Sequence, residues 1–340
     1  MDPLFVTILA HLRVIFHMTL PVNMCYKSLI KMTPWFSIQR MTVAAILLVL
    51  MQTMPVSAAD EFTLDTARQA AKQGNAQAEY FLAKHYEKGD GLPQDYAAAA
   101  GYLRQAAEQG LANAQSDLGT FFANGLGVKQ DDQEAIHWFR KAAKQGDALA
   151  QYILGLCYAE GRGVATNFQE SVKWYRQAAN QKQPDALLAL GDIYLIGKPG
   201  VPADHKAAGQ CYRQAAAQGR LNALNSLGYI YENGGAGVDQ NYELAMKFYR
   251  TAAEKNDAAG QMNLGLMYME GTGVKTDQIA AYQWLYLAAH NGSGIAKHYL
   301  AQLEGRDPLS NGSGLTKPQI EEAIRRANQF KASMINNPTK

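Results

Sequence analysis

The chain has 340 residues, 48% of them hydrophobic and only 18% charged, with a formal net charge of +2. That is enough apolar material for a substantial core, and no basic stripe of the kind a nucleic-acid binder carries is present. Residues 1–59 hold Arg13, Lys27, Lys31 and Arg40 against Asp2 alone, so the remaining body, with 28 basic and 29 acidic residues, is close to neutral.

In chain order, residues 1–40 come first. An apolar stretch from Leu4 to Leu20 is broken by His11, Arg13 and His17. This part reads as a misassigned translation start, with Met32 or Met41 as the true one, or as a weak apolar extension. Residues 41–59 then read as a secretory signal peptide: Arg40 precedes an apolar run, and Ser57, Ala58 and Ala59 supply small residues for cleavage before Asp60. The run is too short for a good membrane span, which needs about 20 apolar residues. Export to the periplasm or the exterior is the expectation, with no stable span after cleavage.

From residue 60 the chain repeats itself. Ala-Ala-x-x-Gly ends a helical segment at Gly74, Gly110, Gly146 and Gly219, with Lys182, Asn256 and Gly292 at the equivalent places. Successive spacings are 36, 36, 36, 37, 37 and 36 residues. A period held this steadily defines a repeat architecture. Glycine at the end of each helix supplies the left-handed backbone that closes it. Asparagine substitutes well there and lysine less well.

Each unit opens with a first helix carrying a small residue, then a leucine, then an aromatic at four-residue spacing. The leucines are Leu82, Leu118, Leu154, Leu190, Leu227 and Leu264; the aromatics are Tyr86, Phe122, Tyr158, Tyr194, Tyr231 and Tyr268. That spacing puts them on one buried stripe. A Gly-x-Gly-Val turn follows, lengthened by one residue at Gly197 and Gly234. The second helix carries Ala99, Ala135, Ser171, Ala208, Ala245 and Ala281. Three residues after each stands a bulky partner: Tyr102, Trp138, Trp174, Cys211, Phe248 or Trp284. Small residues let helices cross closely and the bulky ones fill the space between units.

The pattern Ala-x-x-x-Leu-Gly-x-x-Tyr, Gly-x-Gly-Val and Trp-Tyr/Phe-Arg-x-Ala-Ala resembles the Sel-one-like repeat family, the longer cousins of tetratricopeptide repeats, over about residues 64–304. The resemblance implies an all-α, right-handed α-α superhelical solenoid of about six 36-residue helix–turn–helix repeats, with first helices lining the concave face. It also implies scaffold or adaptor roles through protein binding. The cysteine-rich branch of the family is a poor guide, because this chain has only Cys25, Cys157 and Cys211. Cys157 and Cys211 fall on helices of different repeats and read as buried, inert thiols; a bridge between them is disfavoured because those helices are not neighbours.

The ends need caps. A lone helix over 64–72 precedes the first unit, and one more first helix spans 293–304. A loop over 305–314 leads to a helix starting with the capping box of Thr316 and Gln319. Ile320, Ala323, Ile324 and Ala327 form the face that covers the last repeat, and 334–340 is a tail. The expected total is fifteen helices.

Signs of catalysis are poor. Ser28 and Lys31 spell a Ser-x-x-Lys motif without its companions. His290 and His298 lack a carboxylate or cysteine at metal-ligand spacing. Catalytic residues, cofactor and metal are all expected to be absent. Asn291 and Asn311 are formal glycosylation acceptors, relevant only in a eukaryotic secretory pathway.

One face invites attention. Six, ten and thirteen residues after each unit's terminal glycine lie positions opposite the core stripe. From the third unit onward these are largely apolar: Tyr152 and Leu156, Leu188 and Leu195, Tyr229, then Met262, Leu266 and Met269. Such a surface marks a partner-binding groove, unless the curvature of the array lets neighbouring repeats cover it. The leading expectation is an exported scaffold for an envelope, signalling or host protein. A cell-wall or β-lactam hydrolase and an endoplasmic-reticulum adaptor are the alternatives.

Overall fold

A computed structural model describes residues 62–306 and 314–336. The segments 1–40 and 41–59, Ser28 and Lys31, most of the 305–314 loop and residues 337–340 lie outside the described part. Residues 62–340 form one compact unit.

Fifteen helices are present among the described residues. The lone α1 spans Leu64–Lys72. Six hairpins follow: α2 Ala76–Lys88 with α3 Tyr96–Glu108, α4 Ala112–Asn124 with α5 Asp132–Lys144, and α6 Ala148–Glu160 with α7 Phe168–Asn180. Next come α8 Pro184–Ile196 with α9 His205–Ala217, α10 Leu221–Asn233 with α11 Tyr242–Glu254, and α12 Ala258–Glu270 with α13 Gln278–His290. The array closes with α14 Gly294–Leu303 and α15 Lys317–Asn336. From α1 to α14 each helix packs on the next in sequence, and α15 folds back on α13. The last helix runs three residues past the boundary expected at 333.

Every joint between units closes its first-reached helix with the same backbone bonds, although Leu111 and Arg220 open the next helix without a side-chain cap. The amide of Gly146 donates to the carbonyl of Ala143, and that of Asp147 to Ala142. The Ala142-Ala143 pair thus ends α5 in a Schellman motif. Asp147 then caps α6, its side chain accepting from the Ala150 amide. One residue therefore closes one helix and opens the next. The same bonds recur at Gly74, Gly110, Gly219 and Gly292. Lys182 and Asn256 also take the left-handed backbone, at φ 61° and 64°; for lysine that conformation costs about 1 kcal/mol.

The Leu-Gly pair of α4, α6, α8, α10 and α12 has a steric cause. A Cβ at Gly155 would lie 2.4 Å from the ring of Tyr175, and one at Gly191 2.6 Å from that of Tyr212. The same relation links Gly119 to Phe139 and Gly228 to Tyr249. The most deeply buried aromatics of the second helices are thus Phe139, Tyr175, Tyr212 and Tyr249, each one residue beyond the expected bulky position. Trp138 and Cys211 are also buried, while Trp174 and Phe248 are half-buried.

The turn glycines seat one unit on the last. A Cβ at Gly127 would fall 2.2 Å from the backbone of Tyr96, and one at Gly273 2.2 Å from the Cβ of Tyr242. In the longer turns, Lys198 pairs with Val201 and Gly235 with Val238 as isolated bridges. His205 at the start of α9 ties these turns together, Nδ1 lying 2.8 Å from the Gly234 carbonyl and Nε2 3.1 Å from that of Leu195.

At the C-terminal end Thr316 and Gln319 interact as a capping box would: the Thr316 amide donates to Gln319 Oε1 at 2.9 Å. Ala323 and Ala327 are buried, and Ile320 and Ile324 pack on the terminal core. Trp284 meets Phe330 edge-on at 5.1 Å. Cys157 and Cys211 are free and buried, in separate core clusters.

Candidate functional site: the inner face of the array

Among the non-sequential helix contacts, first helices of successive units touch directly, α6 with α8 and α10 with α12. First helices therefore line the inside of the curve. The face differs along its length. In the first two units it is closed by polar bonds: the Tyr80 hydroxyl and Lys84 Nζ both donate to Asp117 Oδ2 at 3.0 Å, and Lys84 also pairs with Glu87. Burial, then the neighbouring Asp117 carboxylate, pushes the Tyr80 phenol up to about 12.

From the third unit onward apolar side chains take over, and neighbouring repeats cover a good part of them. Tyr152 stands 5.8 Å from the Tyr175 ring. Together with Leu156, Leu188 and Leu195 it is half-buried against the central core. Met262 and Met269 pack against the terminal core, and Met262 Sδ accepts from the Ser293 hydroxyl at 3.6 Å. Leu266 is half-buried. Tyr229 is 50% exposed. The position six residues into each unit is thus a joint between repeats, as the bonds from Ser116 to Asp147 and from Asn225 to Asp257 also show.

Two residues of this face escaped the sequence reading. Leu149 is 48% exposed and Ile196 70%. Leu149 stands three residues before Tyr152 on α6, and Ile196 follows Leu195 at the end of α8. Their signal was apolar character at positions three and fourteen of the unit. The large apolar side chains left open to solvent on α6, α8 and α10 are therefore Leu149, Ile196 and Tyr229.

A second feature missed in the sequence is a row of buried amides that braces this face from beneath. Gln151 Nε2 donates to the Ala143 carbonyl of the preceding unit at 3.1 Å, and Gln151 Oε1 accepts from Gln181 at 2.9 Å. Gln115 makes the same pair of bonds with Ala107 and Gln145, and Gln261 with Ala253 and Asn291. In the fourth and fifth units Leu187 and Leu224 stand there instead. Between units, Arg140, Arg176 and Arg250 donate to the hydroxyls of Tyr158, Tyr194 and Tyr268.

No cluster of three or more metal-ligating side chains occurs among the described residues, and no described helix is long and apolar enough to cross a membrane. A cleft of about 860 Å³ lies away from these side chains, between Leu224 and Lys255 and the Phe330 and Met334 side chains of α15.

Stacked helical hairpins, each joined to the next through the same helix-closing backbone bonds, define an α-solenoid built from one repeated unit. Residues 76–111, 112–147, 148–182, 184–219, 221–257 and 258–293 each match the Sel1 repeat. The chain belongs to the Sel1 repeat family. Proteins of this family generally act as protein-interaction scaffolds.

The chain is similar to the solved structure of c5321, described as a protective antigen present in uropathogenic Escherichia coli strains displaying an SLR fold. The two share 34% identity with a TM-score of 0.67, over 79% of this chain and 56% of the other. The present chain thus spans little more than half of that protein's length. It is also similar to a Sel1 repeat protein from Oxalobacter formigenes, at 31% identity and a TM-score of 0.60, covering 75% of this chain and 99% of that one. No curated protein sequence matches the chain.

Proposed function

We propose that this protein is an exported, non-enzymatic scaffold that holds a protein partner on the inner face of its array. The observation that carries this reading is the solvent-open apolar strip of Leu149, Ile196 and Tyr229 on that face. Large apolar side chains left in water on a concave surface gain free energy when a partner covers them, about 25 cal/mol per Å². Half-buried Leu156, Leu188, Leu195, Met262, Leu266 and Met269 form the floor around the strip.

Export rests on the apolar run after Arg40 and the small residues Ser57, Ala58 and Ala59. The protective-antigen description of the uropathogenic relative supports the same assignment. The partner is then an envelope, signalling or host protein.

Two measurements test the proposal. Fractionation of a Gram-negative host expressing the full chain, with N-terminal sequencing, should find a product starting at Ala59 or Asp60 outside the cytoplasm. Crosslinking in the native envelope should capture a partner that is lost on replacing Leu156, Tyr229 and Leu266 with Asp, while the helical circular-dichroism spectrum is kept. Capture unaffected by those replacements would reject the inner face.

A further inference from the structure

The inner layer carries a one-sided charge. Across α6, α8, α10 and α12 stand five carboxylates, Glu160, Asp185, Asp192, Glu232 and Glu270, and no lysine, arginine or histidine. The intervening second helices hold the cations: Lys173 and Arg176 on α7, Lys206 and Arg213 on α9, Lys247 and Arg250 on α11. Glu170 on α7 and Glu243 and Glu254 on α11 make that outer layer mixed in sign, so the one-sided charge belongs to these four first helices.

Two of the five carboxylates are already neutralised. Glu160 pairs with Arg162 at 2.8 Å, and Asp185 with Arg220 at 2.9 Å. Asp192 and Glu232 are held differently. Asp192 accepts the hydroxyl of Tyr212 at 2.6 Å, and Glu232 that of Tyr249 at 2.7 Å. Both tyrosines are core residues, 0% and 2% exposed, so each fixes its carboxylate from below. Among the described residues no cation pairs with either acid. They sit on successive first helices, beside Ile196 and Tyr229.

We infer that the occupant of this face is a polypeptide segment in which lysine or arginine alternates with large apolar side chains. The inference rests on the docking reading above and adds the chemistry of the partner. Apolar side chains of the segment cover Leu149, Ile196 and Tyr229, and its cations meet Asp192 and Glu232. A carboxylate already held by a buried hydroxyl loses little freedom on pairing, so the pair forms at reduced entropic cost. Adjacent helix axes are about 8–10 Å apart. Two cations at that spacing lie about three residues apart on an extended segment or two turns apart on a helix. The same carboxylates repel the phosphates of nucleic acids and anionic lipid surfaces, which leaves a protein segment as the fitting ligand.

The test is panning of a random-peptide phage library against the purified full chain, followed by affinities of the selected peptides for variants. The decisive variant is Asp192→Asn with Glu232→Gln, which removes both charges but keeps an oxygen to accept each tyrosine hydroxyl. A second variant, Tyr229→Asp, disrupts the strip itself. The expected peptides mix Lys or Arg with Leu, Phe or Trp, bind more weakly as salt rises, lose about tenfold in affinity for the double variant, and fail to bind Tyr229→Asp. Peptides that are lost on Tyr229→Asp but are acidic or uncharged, or that keep affinity for the double variant within about twofold, would overturn the basic partner and leave the docking face standing. Peptides indifferent to Tyr229→Asp, or no enrichment at all, would overturn both.

Discussion

Gly155 of α6 and Tyr175 of α7 meet so closely that a methyl group on the glycine would stand 2.4 Å from Cδ1 of the ring. Tyr175 is 2% exposed and has no room to move. Replacing Gly155 with Val should therefore cost about 3 kcal/mol or more, by overpacking, read as a fall in the urea midpoint. Gly146 is the control. Nothing lies within 4 Å of a Cβ there, and its φ of 94° is the sole obstacle, so Gly146→Ala should cost only about 1 kcal/mol.

Gln151 bridges two units through buried bonds, and its removal should loosen that joint. Gln151→Ala removes one bond from the Ala143 carbonyl and one from the Gln181 amide, each of which keeps a second bond to the Gly146 backbone, and should cost about 1–2 kcal/mol. Gln151→Leu copies what Leu187 does in the next unit and should cost less, because apolar contact replaces part of the loss. Amide exchange should speed up first around Ala143 and Gln181. Equal losses for both substitutions would show that the hydrogen bonds, and not packing, hold the joint.

The buried phenols predict the alkaline limit of stability. Burial, and then the hydrogen bonds to Asp192 and Glu232, push the Tyr212 and Tyr249 phenols well above the ordinary 10. Tyr175 and Tyr282 are raised as well, chiefly by burial, and Tyr80 reaches about 12. The unfolded chain releases these protons at lower pH than the folded one. Their contribution to stability is therefore whole below pH about 10 and is lost as pH climbs through the folded values. A pH series of urea melts should fall above that point. The ultraviolet tyrosinate titration should show these five among the 18 tyrosines ionising late, with Tyr212 earlier in Asp192→Asn.

Cys211 should behave as an inert thiol. Burial raises it from the ordinary 9 to about 11, and Cys157 is shifted the same way. Because the thiolate is the reactive form, a disulfide reagent at neutral pH should label neither cysteine in the folded chain and both after denaturation. Prompt labelling of the native protein would contradict the packing around them.

Much of this architecture is written in the chain at a level that periodicity can read. The leucine stripe, the Ala-Ala-x-x-Gly caps and the covering helix with Ala323 and Ala327 all lie where their spacing puts them. Less legible was the choice between adjacent bulky residues such as Trp174 and Tyr175. Both have helical spacing, and only the close approach of Gly155 decides which one enters the hairpin. Gln115, Gln151 and Gln261 were hidden because an amide reads as surface until the carbonyls it satisfies are placed. Leu149 and Ile196 were hidden for the opposite reason: exposure on the inner face depends on how far each unit rotates from the last, which no single repeat encodes.

The seat formed by Gly127 on Tyr96, repeated by Gly273 on Tyr242, has a genetic corollary. At both seats the glycine lets the turn approach the first residue of the preceding second helix, through its backbone at Tyr96 and its Cβ at Tyr242. Duplicating or deleting one whole block of about 36 residues would present every remaining seam with an equivalent mate. Descendants of this chain can thus lengthen or shorten the array in whole steps, leaving its surface residues free to drift.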